Sequence, residues 1–127
     1  MDYISNLIVK INNGNKSGKG LVSLPFTKIG GAIAETLQKE GFIETYSKKG
    51  KKIKMLEIKL AYADSMPRIT GVKRLSTPSK RIYRGASKIW PVLRGYGRLI
   101  VSTPKGVMSD VDARKQKIGG EALFEIW

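Results

Sequence analysis

The residues best suited to chemistry lie close together near the C-terminal end of the chain. Two hydroxyls and a lysine occur in Ser102-Thr103-Pro104-Lys105-Gly106, and two carboxylates follow at Asp110 and Asp112. Two acids at this spacing beside basic residues could hold Mg²⁺. The alternative, which we favour, is that Ser109 or Asp110 caps a short helix. Asp112 would then lie in its first turn, where the helix dipole stabilises negative charge.

Catalysis by other side chains is not indicated. The chain has no histidine, the residue that most often serves as general base or metal ligand near neutral pH. It also has no cysteine, which excludes thiolate chemistry and disulfides. We therefore predict no catalytic residue, no metal site and no cofactor.

Residues 14–20, Gly-Asn-Lys-Ser-Gly-Lys-Gly, superficially suggest a phosphate-binding loop. That motif needs two glycines five positions apart, with Lys-Ser or Lys-Thr directly after the second, on a turn from strand to helix. Here Lys16 and Ser17 follow a single glycine, and the segment is expected to join a helix to a strand. We reject a nucleotide-binding loop.

The turn that contains Ser102 and Thr103 suits RNA recognition better than catalysis. Hydroxyls can donate to and accept from base edges and ribose 2′-OH groups. Pro104 and Gly106 predict a tight turn that displays both hydroxyls together with Lys105. Because turns everywhere have this composition, the turn alone does not identify a function.

The charge distribution makes nucleic acid the leading partner. The 127 residues include 24 Lys and Arg but only 10 Asp and Glu, a formal net charge of +14. No acid lies between Asp64 and Asp110, a span of 45 residues. Ten basic residues lie in that span: Arg68, Lys73, Arg74, Lys80, Arg81, Arg84, Lys88, Arg94, Arg98 and Lys105. Six of the ten are Arg, whose planar guanidinium matches phosphate oxygens and stacks on bases.

Three aromatic residues, Tyr83, Trp90 and Tyr96, are interleaved with these charges. In Arg81-Ile82-Tyr83, strand alternation places Ile82 on one face and Arg81 with Tyr83 on the other, where both could contact RNA. For Trp90 we expect packing in the core. A membrane partner is not expected, because no apolar run approaches the roughly 20 residues that span a bilayer and no signal peptide is visible.

The first half of the chain has the pattern of a small α-β-α-β-β lobe. Helices are predicted over 3–13 and 27–40, and strands over 21–24, 42–47 and 56–62. The first helix is expected to be capped by Asp2 and ended by Gly14, with a buried face formed by Ile4, Leu7, Ile8 and Ile11. A polar loop over 12–20 follows and carries Lys16 and Lys19.

The second helix is expected to be capped by Thr27 and ended by Gly41, with a buried face formed by Ile29, Ile33 and Leu37. A lysine-rich turn is predicted over 48–52. The last strand places Leu56, Ile58, Leu60 and Tyr62 on one face.

The second half is mostly β. Short strands are predicted over 71–76, 81–84, 98–102 and 122–126, with one helix between Asp110 and Lys117. The fold class is therefore α+β with two small lobes. We expect an N-terminal α/β lobe over 1–62, a joint over 63–67, and a mostly antiparallel β, RNA-binding lobe over 68–127.

The motifs taken together resemble the small-subunit ribosomal protein of family eight, in its bacterial form. The resemblance covers nearly the whole chain. It is carried by Leu7-Ile8…Ile11-Asn12-Asn13-Gly14, Glu40-Gly41-Phe42-Ile43, Arg81-Ile82-Tyr83, Gly95-Tyr96-Gly97, Ser102-Thr103-Pro104-Lys105-Gly106-Val107-Met108, Ala113-Arg114, Gly119-Gly120-Glu121 and Trp127. The order and spacing of the later motifs are specific to that family.

The resemblance implies a two-lobe protein that binds the central domain of small-subunit ribosomal RNA directly and supports its folding and subunit assembly. In that family the Ser-Thr-x-Lys-Gly loop docks on an irregular, base-rich RNA helix. By matching position, this implies RNA contacts from Ser102, Thr103, Lys105 and Gly106, with Tyr83 and Glu121 beside them. Arg81 is added from its place next to Tyr83.

The family resemblance also implies partners and a location. Neighbouring small-subunit ribosomal proteins are expected partners, and its own messenger RNA is an optional one. The ribosome would be that of a bacterial cytoplasm, a mitochondrion or a plastid. The first lobe departs from the family pattern at Thr27-Lys28-Ile29-Gly30-Gly31, which leaves Lys28 as its one predicted RNA contact. A freestanding RNA-binding translational regulator remains the alternative, since it would share the basic surface.

Overall fold

The structure, a computed structural model, describes residues 2–18 and 20–127, and its α+β class confirms the predicted one. The chain separates into two compact units, Met1–Thr70 and Gly71–Trp127. Segment 63–67, predicted as a joint, contains the paired residues Ala63 and Met66 of a short hairpin and belongs to the first unit. No helix of the described residues is long and apolar enough to cross a membrane.

The first unit is a three-stranded antiparallel sheet with two helices. In the sheet, β3 (Met55–Leu60) lies between β1 (Leu21–Pro25) and β2 (Ile43–Lys49). A separate two-stranded hairpin of β4 (Tyr62–Ala63) and β5 (Met66–Pro67) follows. The buried residues of β3, Leu56, Ile58 and Leu60, alternate along the strand as predicted, whereas Tyr62 is exposed in the hairpin. The two helices of this unit are α1 (Tyr3–Ser17) and α2 (Lys28–Lys39).

Helix α1 begins where the sequence predicts but ends later. The Asp2 carboxylate accepts a hydrogen bond from the Ser5 backbone N–H at 3.3 Å, a regular N-cap. The prediction that Gly14 ends the helix was wrong, since Gly18, with φ of +72°, is the C-cap. Gly14 is buried within the helix because a Cβ there would lie 2.9 Å from Cγ2 of Val22. The predicted loop therefore shrinks, and Lys19 lies outside the described residues.

Helix α2 confirms the prediction closely. Thr27 caps it by accepting from the Gly30 backbone N–H at 3.0 Å, and Ile33 and Leu37 are buried while Ile29 is half-buried. Strand β2 continues through Lys49, so the lysine-rich turn begins later than predicted. Its reversal occurs at Gly50, where φ is +109°.

The second unit is a five-stranded antiparallel sheet built around its last strand. Strand β10 (Gly120–Ile126) pairs on one side with β8 (Arg98–Thr103), which pairs in turn with β9 (Gly106–Ser109). On its other side, β10 pairs at successive positions with β7 (Tyr83–Arg84) and β6 (Val72–Arg74). Strand β9 was missed in the sequence. Helix α3 (Asp110–Gln116) lies between β9 and β10 in the chain.

A buried carboxylate ties this unit together. Asp110 is the first residue of α3 and its side chain is 1% exposed. It accepts from the Leu99 backbone N–H at 3.1 Å and from Arg114 Nη1 at 2.7 Å. Ser109, the other predicted candidate, is the actual N-cap and accepts from the Asp112 backbone N–H at 3.4 Å. Asp110 therefore links α3 to β8.

The core around this link excludes one residue that was predicted to be in it. Trp90 is 61% exposed, so its expected core packing was wrong. The buried apolar residues of this core are Ile89, Val92, Leu99, Val101, Met108, Ala113 and Ala122.

Replacing Asp110 tests the bracing role of the carboxylate. Asp110→Ala leaves the buried Leu99 N–H unpaired, so we expect the free energy of unfolding to fall by about 2–3 kcal/mol. Asp110→Asn keeps an oxygen acceptor and should lose less. Urea denaturation measures both. Glu35→Ala, an exposed helical acid, is the control and should change stability by less than about 0.5 kcal/mol. Equal losses in Asp110→Ala and the control would contradict the role.

Candidate nucleic-acid interface

The β8–β9 turn is held rigidly by one of its own hydroxyls. Thr103 and Gly106 are paired across the hairpin, and Gly106 has φ of +115°, a conformation that favours glycine. Thr103 Oγ1 donates to the Gly106 carbonyl at 2.7 Å and accepts from the Lys105 backbone N–H at 3.1 Å. Thr103 is only 9% exposed. The expectation that the turn displays both hydroxyls is therefore wrong for Thr103, which stabilises the turn from within.

Ser102 instead lies in a row that crosses three strands. Glu121 on β10 is directly opposite Tyr83 on β7 and directly opposite Ser102 on β8. Side chains at directly opposed positions project from the same face of a sheet. Ser102 is half-buried, and Tyr83 is 70% exposed. The row therefore presents a phenol ring, a carboxylate and a hydroxyl side by side.

Arg81 balances the charge of the carboxylate in this row. Its Nη1 lies 3.2 Å from both Oε1 and Oε2 of Glu121. The Glu121 side chain is 13% exposed and that of Arg81 is 57% exposed. A lone carboxylate would repel phosphate, and the guanidinium offsets this repulsion. The carboxylate oxygens keep lone pairs that can accept from base amino groups.

The Gly119-Gly120 motif is required by the close approach of neighbouring backbones. A Cβ at Gly119 would lie 2.4 Å from the carbonyl oxygen of Arg84, and one at Gly120 would lie 2.2 Å from that of Ser102. Any side chain at either position would force a strand to move. The two glycines thus fix how closely β10 lies between β7 and β8.

These residues surround an open groove of about 580 Å³. Its lining is Tyr83, Arg84, Gly85, Ser102, Thr103, Pro104, Gly119, Gly120 and Glu121.

The groove is lined by four of the eight predicted site residues. Ser102, Thr103, Tyr83 and Glu121 line it. Arg81 is attached through its ion pair with Glu121.

The remaining predicted residues lie beside the groove or elsewhere. Lys105 and Gly106 are exposed on the adjoining turn. Lys28 is not part of the groove, because it is the exposed first residue of α2 in the Met1–Thr70 unit. Sequence reasoning did not predict the other five lining residues, which are Arg84, Gly85, Pro104, Gly119 and Gly120. The basic, acid-free span gave a signal for Arg84, whereas nothing in the sequence distinguishes Gly85 from an ordinary turn glycine.

The arrangement suits binding and not chemistry. The carboxylate pair considered for Mg²⁺ is broken up, since Asp110 is buried and bonded to Leu99 and Arg114. Among residues 2–18 and 20–127, no group of three or more acidic, histidine or cysteine side chains is placed to hold a metal ion. An open groove with an exposed ring, a hydroxyl and flanking cations fits the edges of nucleotides.

Comparison with known proteins agrees with this picture. The family model described as Ribosomal protein S8 matches residues 2–127. The chain is 42% identical over 127 residues to the small ribosomal subunit protein uS8 of Mycoplasmopsis agalactiae, covering 99% of this chain and 97% of that protein. It is 43% identical over 122 residues to the protein of the same name from Neisseria meningitidis serogroup B, covering 96% and 94%. For Caldicellulosiruptor bescii the identity is 40% over 133 residues, covering 100% and 98%.

The family model spans almost the entire chain, and the similarity to these relatives is not confined to one unit. The resemblance inferred from the sequence motifs is thereby confirmed, as is the prediction of a non-enzymatic protein. The chain belongs to the ribosomal protein S8 family of structural ribosomal proteins.

Proposed function

We propose that this protein is a component of the small ribosomal subunit that binds the central domain of the small-subunit ribosomal RNA directly, and that it supports the folding of that RNA and subunit assembly. The observation that carries the proposal is the Tyr83–Glu121–Ser102 row, beside a rigid turn and within an acid-free basic span. Family membership supports the ribosomal setting.

The row offers a different interaction at each of its positions. The exposed Tyr83 ring can stack on an unpaired base, and the Ser102 hydroxyl can bond to a base edge or a ribose 2′-OH. Glu121 can accept from a base amino group, as carboxylates do with cytosine N4. Duplex RNA hides its base edges in a deep, narrow major groove, so these groups favour an irregular helix with accessible bases.

The turn adds position and charge. Lys105 is exposed at its tip and can contact phosphate, while Gly106 allows the RNA backbone to approach closely. Thr103 contributes by holding the turn in shape, since both of its bonds are internal. A preformed turn loses little conformational freedom on binding, and this favours affinity for one RNA shape.

The first unit contributes more generally. Lys28 at the exposed start of α2 and the lysines of the β2–β3 turn can contact phosphate. Such contacts raise affinity for any RNA without selecting a sequence. We also propose neighbouring small-subunit ribosomal proteins as partners, and its own messenger RNA as a further ligand. Location on the ribosome of a bacterial cytoplasm, a mitochondrion or a plastid follows from the same assignment.

Crosslinking in cells, followed by sequencing of the attached RNA, tests the proposal as a whole. We expect one dominant peak in the central domain of the small-subunit ribosomal RNA and co-sedimentation of the protein with small subunits. A dominant peak on messenger RNA, with the protein sedimenting free of subunits, would instead establish a freestanding translational regulator and overturn the ribosomal role.

Substitutions in the groove test the residues themselves. Ser102→Ala should weaken binding to the cognate RNA helix by about 1–3 kcal/mol, the cost of a buried polar group left unpaired. Thr103→Val should weaken binding by a similar amount for a different reason, because the turn is no longer held in shape by the internal bonds of Thr103. Thr103→Val should also lower the melting temperature, because the turn loses its internal bonds. Filter binding and thermal unfolding measure the two effects.

The matched control for these substitutions is Ser79→Ala, which removes an exposed hydroxyl outside the groove. It should leave RNA binding unchanged. Unchanged binding in both groove variants would show that the turn does not contact RNA.

Two lysines at the end of β2 and in the turn that follows it should behave differently. Replacing Lys49 and Lys51 together by Ala should reduce the salt dependence of binding slightly and keep the preference for the cognate helix over other RNAs. Titrations at several salt concentrations, with cognate and unrelated helices, measure this. A marked loss of preference would show that the first unit reads RNA features as well as charge.

A further inference from the structure

A second surface of the Gly71–Trp127 unit exposes apolar side chains that the groove does not use. Over seven residues, Trp90 is 61% exposed, Leu93 is 54% exposed and Tyr96 is 82% exposed. Ile89 and Val92, which alternate with them, are buried in the core. Because the core is already filled by these inward residues, packing does not explain three large apolar groups on the outside. Grouped exposed apolar residues indicate an interaction site.

The segment that carries these side chains is closely held. Val92 and Gly97 form a bridge, and the N–H groups of Gly95 and Gly97 donate to the Val92 carbonyl at 2.9 and 3.0 Å. Arg98 Nη1 donates to the carbonyls of Gly95 and Gly97, both at 2.8 Å. Tyr96 therefore projects from a closed, braced loop.

These bonds also hold an unusual backbone. Leu93 and Arg94 have φ of +47° and +54°, left-handed conformations that non-glycine residues rarely adopt. Such conformations persist where surrounding bonds enforce them, and they concentrate at binding sites. The loop is thus built to keep Leu93 and Arg94 turned outward, since both are exposed.

Charge identifies the partner. Lys88 Nζ lies 5.9 Å from the centre of the Trp90 ring, and Arg94 is exposed beside Leu93. No acid lies within the surrounding span of 45 residues. A second copy of this chain would bring the same positive charge and be repelled. Aromatic rings beside Lys88 and Arg94, in a span of the sequence without acids, complement a polyanion whose bases have π faces.

We propose that residues 88–98, the aromatic loop, bind unpaired nucleotides. Bases stack on Trp90 and Tyr96, and Lys88 and Arg94 contact the phosphates. The aromatic loop shares no residue with the groove lining, so it is a second RNA contact. The proposal rests on the proposed function, because the ribosomal RNA would supply the nucleotides.

Tryptophan fluorescence reports on this contact, because the chain has only two tryptophans, Trp90 and Trp127. The difference between the unmodified protein and Trp90→Phe isolates the Trp90 emission. We expect octauridylate to quench that emission, and a blunt RNA duplex with the same number of phosphates to leave it nearly unchanged. Absence of quenching by octauridylate, or equal quenching by the duplex, would overturn base stacking.

Affinity for labelled octauridylate separates stacking from simple apolar contact. Trp90→Ala should weaken binding on the order of tenfold, the usual effect of losing one stacked base. Trp90→Phe should retain most of the affinity, whereas Trp90→Leu, which is apolar but has no ring, should resemble Trp90→Ala. The control, Tyr62→Ala, removes an exposed aromatic from the other unit and should have no effect. Full affinity in Trp90→Leu would contradict the proposal.

Photo-crosslinking from position 96 in assembled small subunits decides between classes of partner. A crosslink to ribosomal RNA is expected, and one to a neighbouring protein or a second copy would overturn the proposal.

The groove variants separate this result from the proposed function. If Ser102→Ala weakens cognate-helix binding while Trp90 is not quenched, only the aromatic loop fails. If Trp90 is quenched but the groove variants bind normally, only the groove assignment fails.

Discussion

In the second unit, β10 lies so close to β7 and β8 that positions 119 and 120 have no room for a side chain, and this close approach sets the geometry of the groove. The Ser102 carbonyl oxygen occupies the space that a Cβ at position 120 would need, 2.2 Å away. This contact fixes the separation of the strands and, with the register, aligns Glu121 with Tyr83 and Ser102. A side chain at position 120 would widen the sheet and separate the members of the row. The shape of the groove therefore depends on Gly119 and Gly120, two residues that have no side chain.

Two of the acids in the same unit, Asp110 and Glu121, are covered and paired with arginines, so they offset its positive charge less than free carboxylates would. Residues 71–127 contain twelve Lys and Arg but four acids, a difference of +8. Asp110 is buried against Arg114, and Glu121 is largely covered and paired with Arg81. The Arg81–Glu121 pair, whose guanidinium is exposed, contributes about 1 kcal/mol or less to stability, so its main effect is local neutrality. The buried Asp110 instead braces α3 against β8. In the proposed RNA complex, the remaining basic side chains would supply long-range attraction for the phosphates.

Local patterns predicted the elements well, and tertiary contacts explain where prediction failed. The alternation of Leu56, Ile58 and Leu60 and the cap at Thr27 are encoded within a few neighbouring residues, and both were confirmed. Gly14 was interpreted as a helix end because glycine breaks helices, yet it is retained for its close contact with Val22, seen only once the helix packs on the sheet. Trp90 was assigned to the core by residue type, although Ile89 and Val92 already occupy it.

The division of labour within the Ser102-Thr103 pair illustrates the same limit for the site. In the sequence the two hydroxyls are equivalent, and both were expected to be displayed. The register of the strands gives the two hydroxyls different surroundings. Thr103 lies opposite Gly106 and donates its hydroxyl to the Gly106 carbonyl within the turn, whereas Ser102 lies opposite Glu121 in the row. One hydroxyl thus supplies rigidity and its neighbour is available for recognition. Since a flexible turn would lose more conformational entropy on binding, the internal bonds of Thr103 would favour the proposed RNA binding without any contact between Thr103 and the RNA.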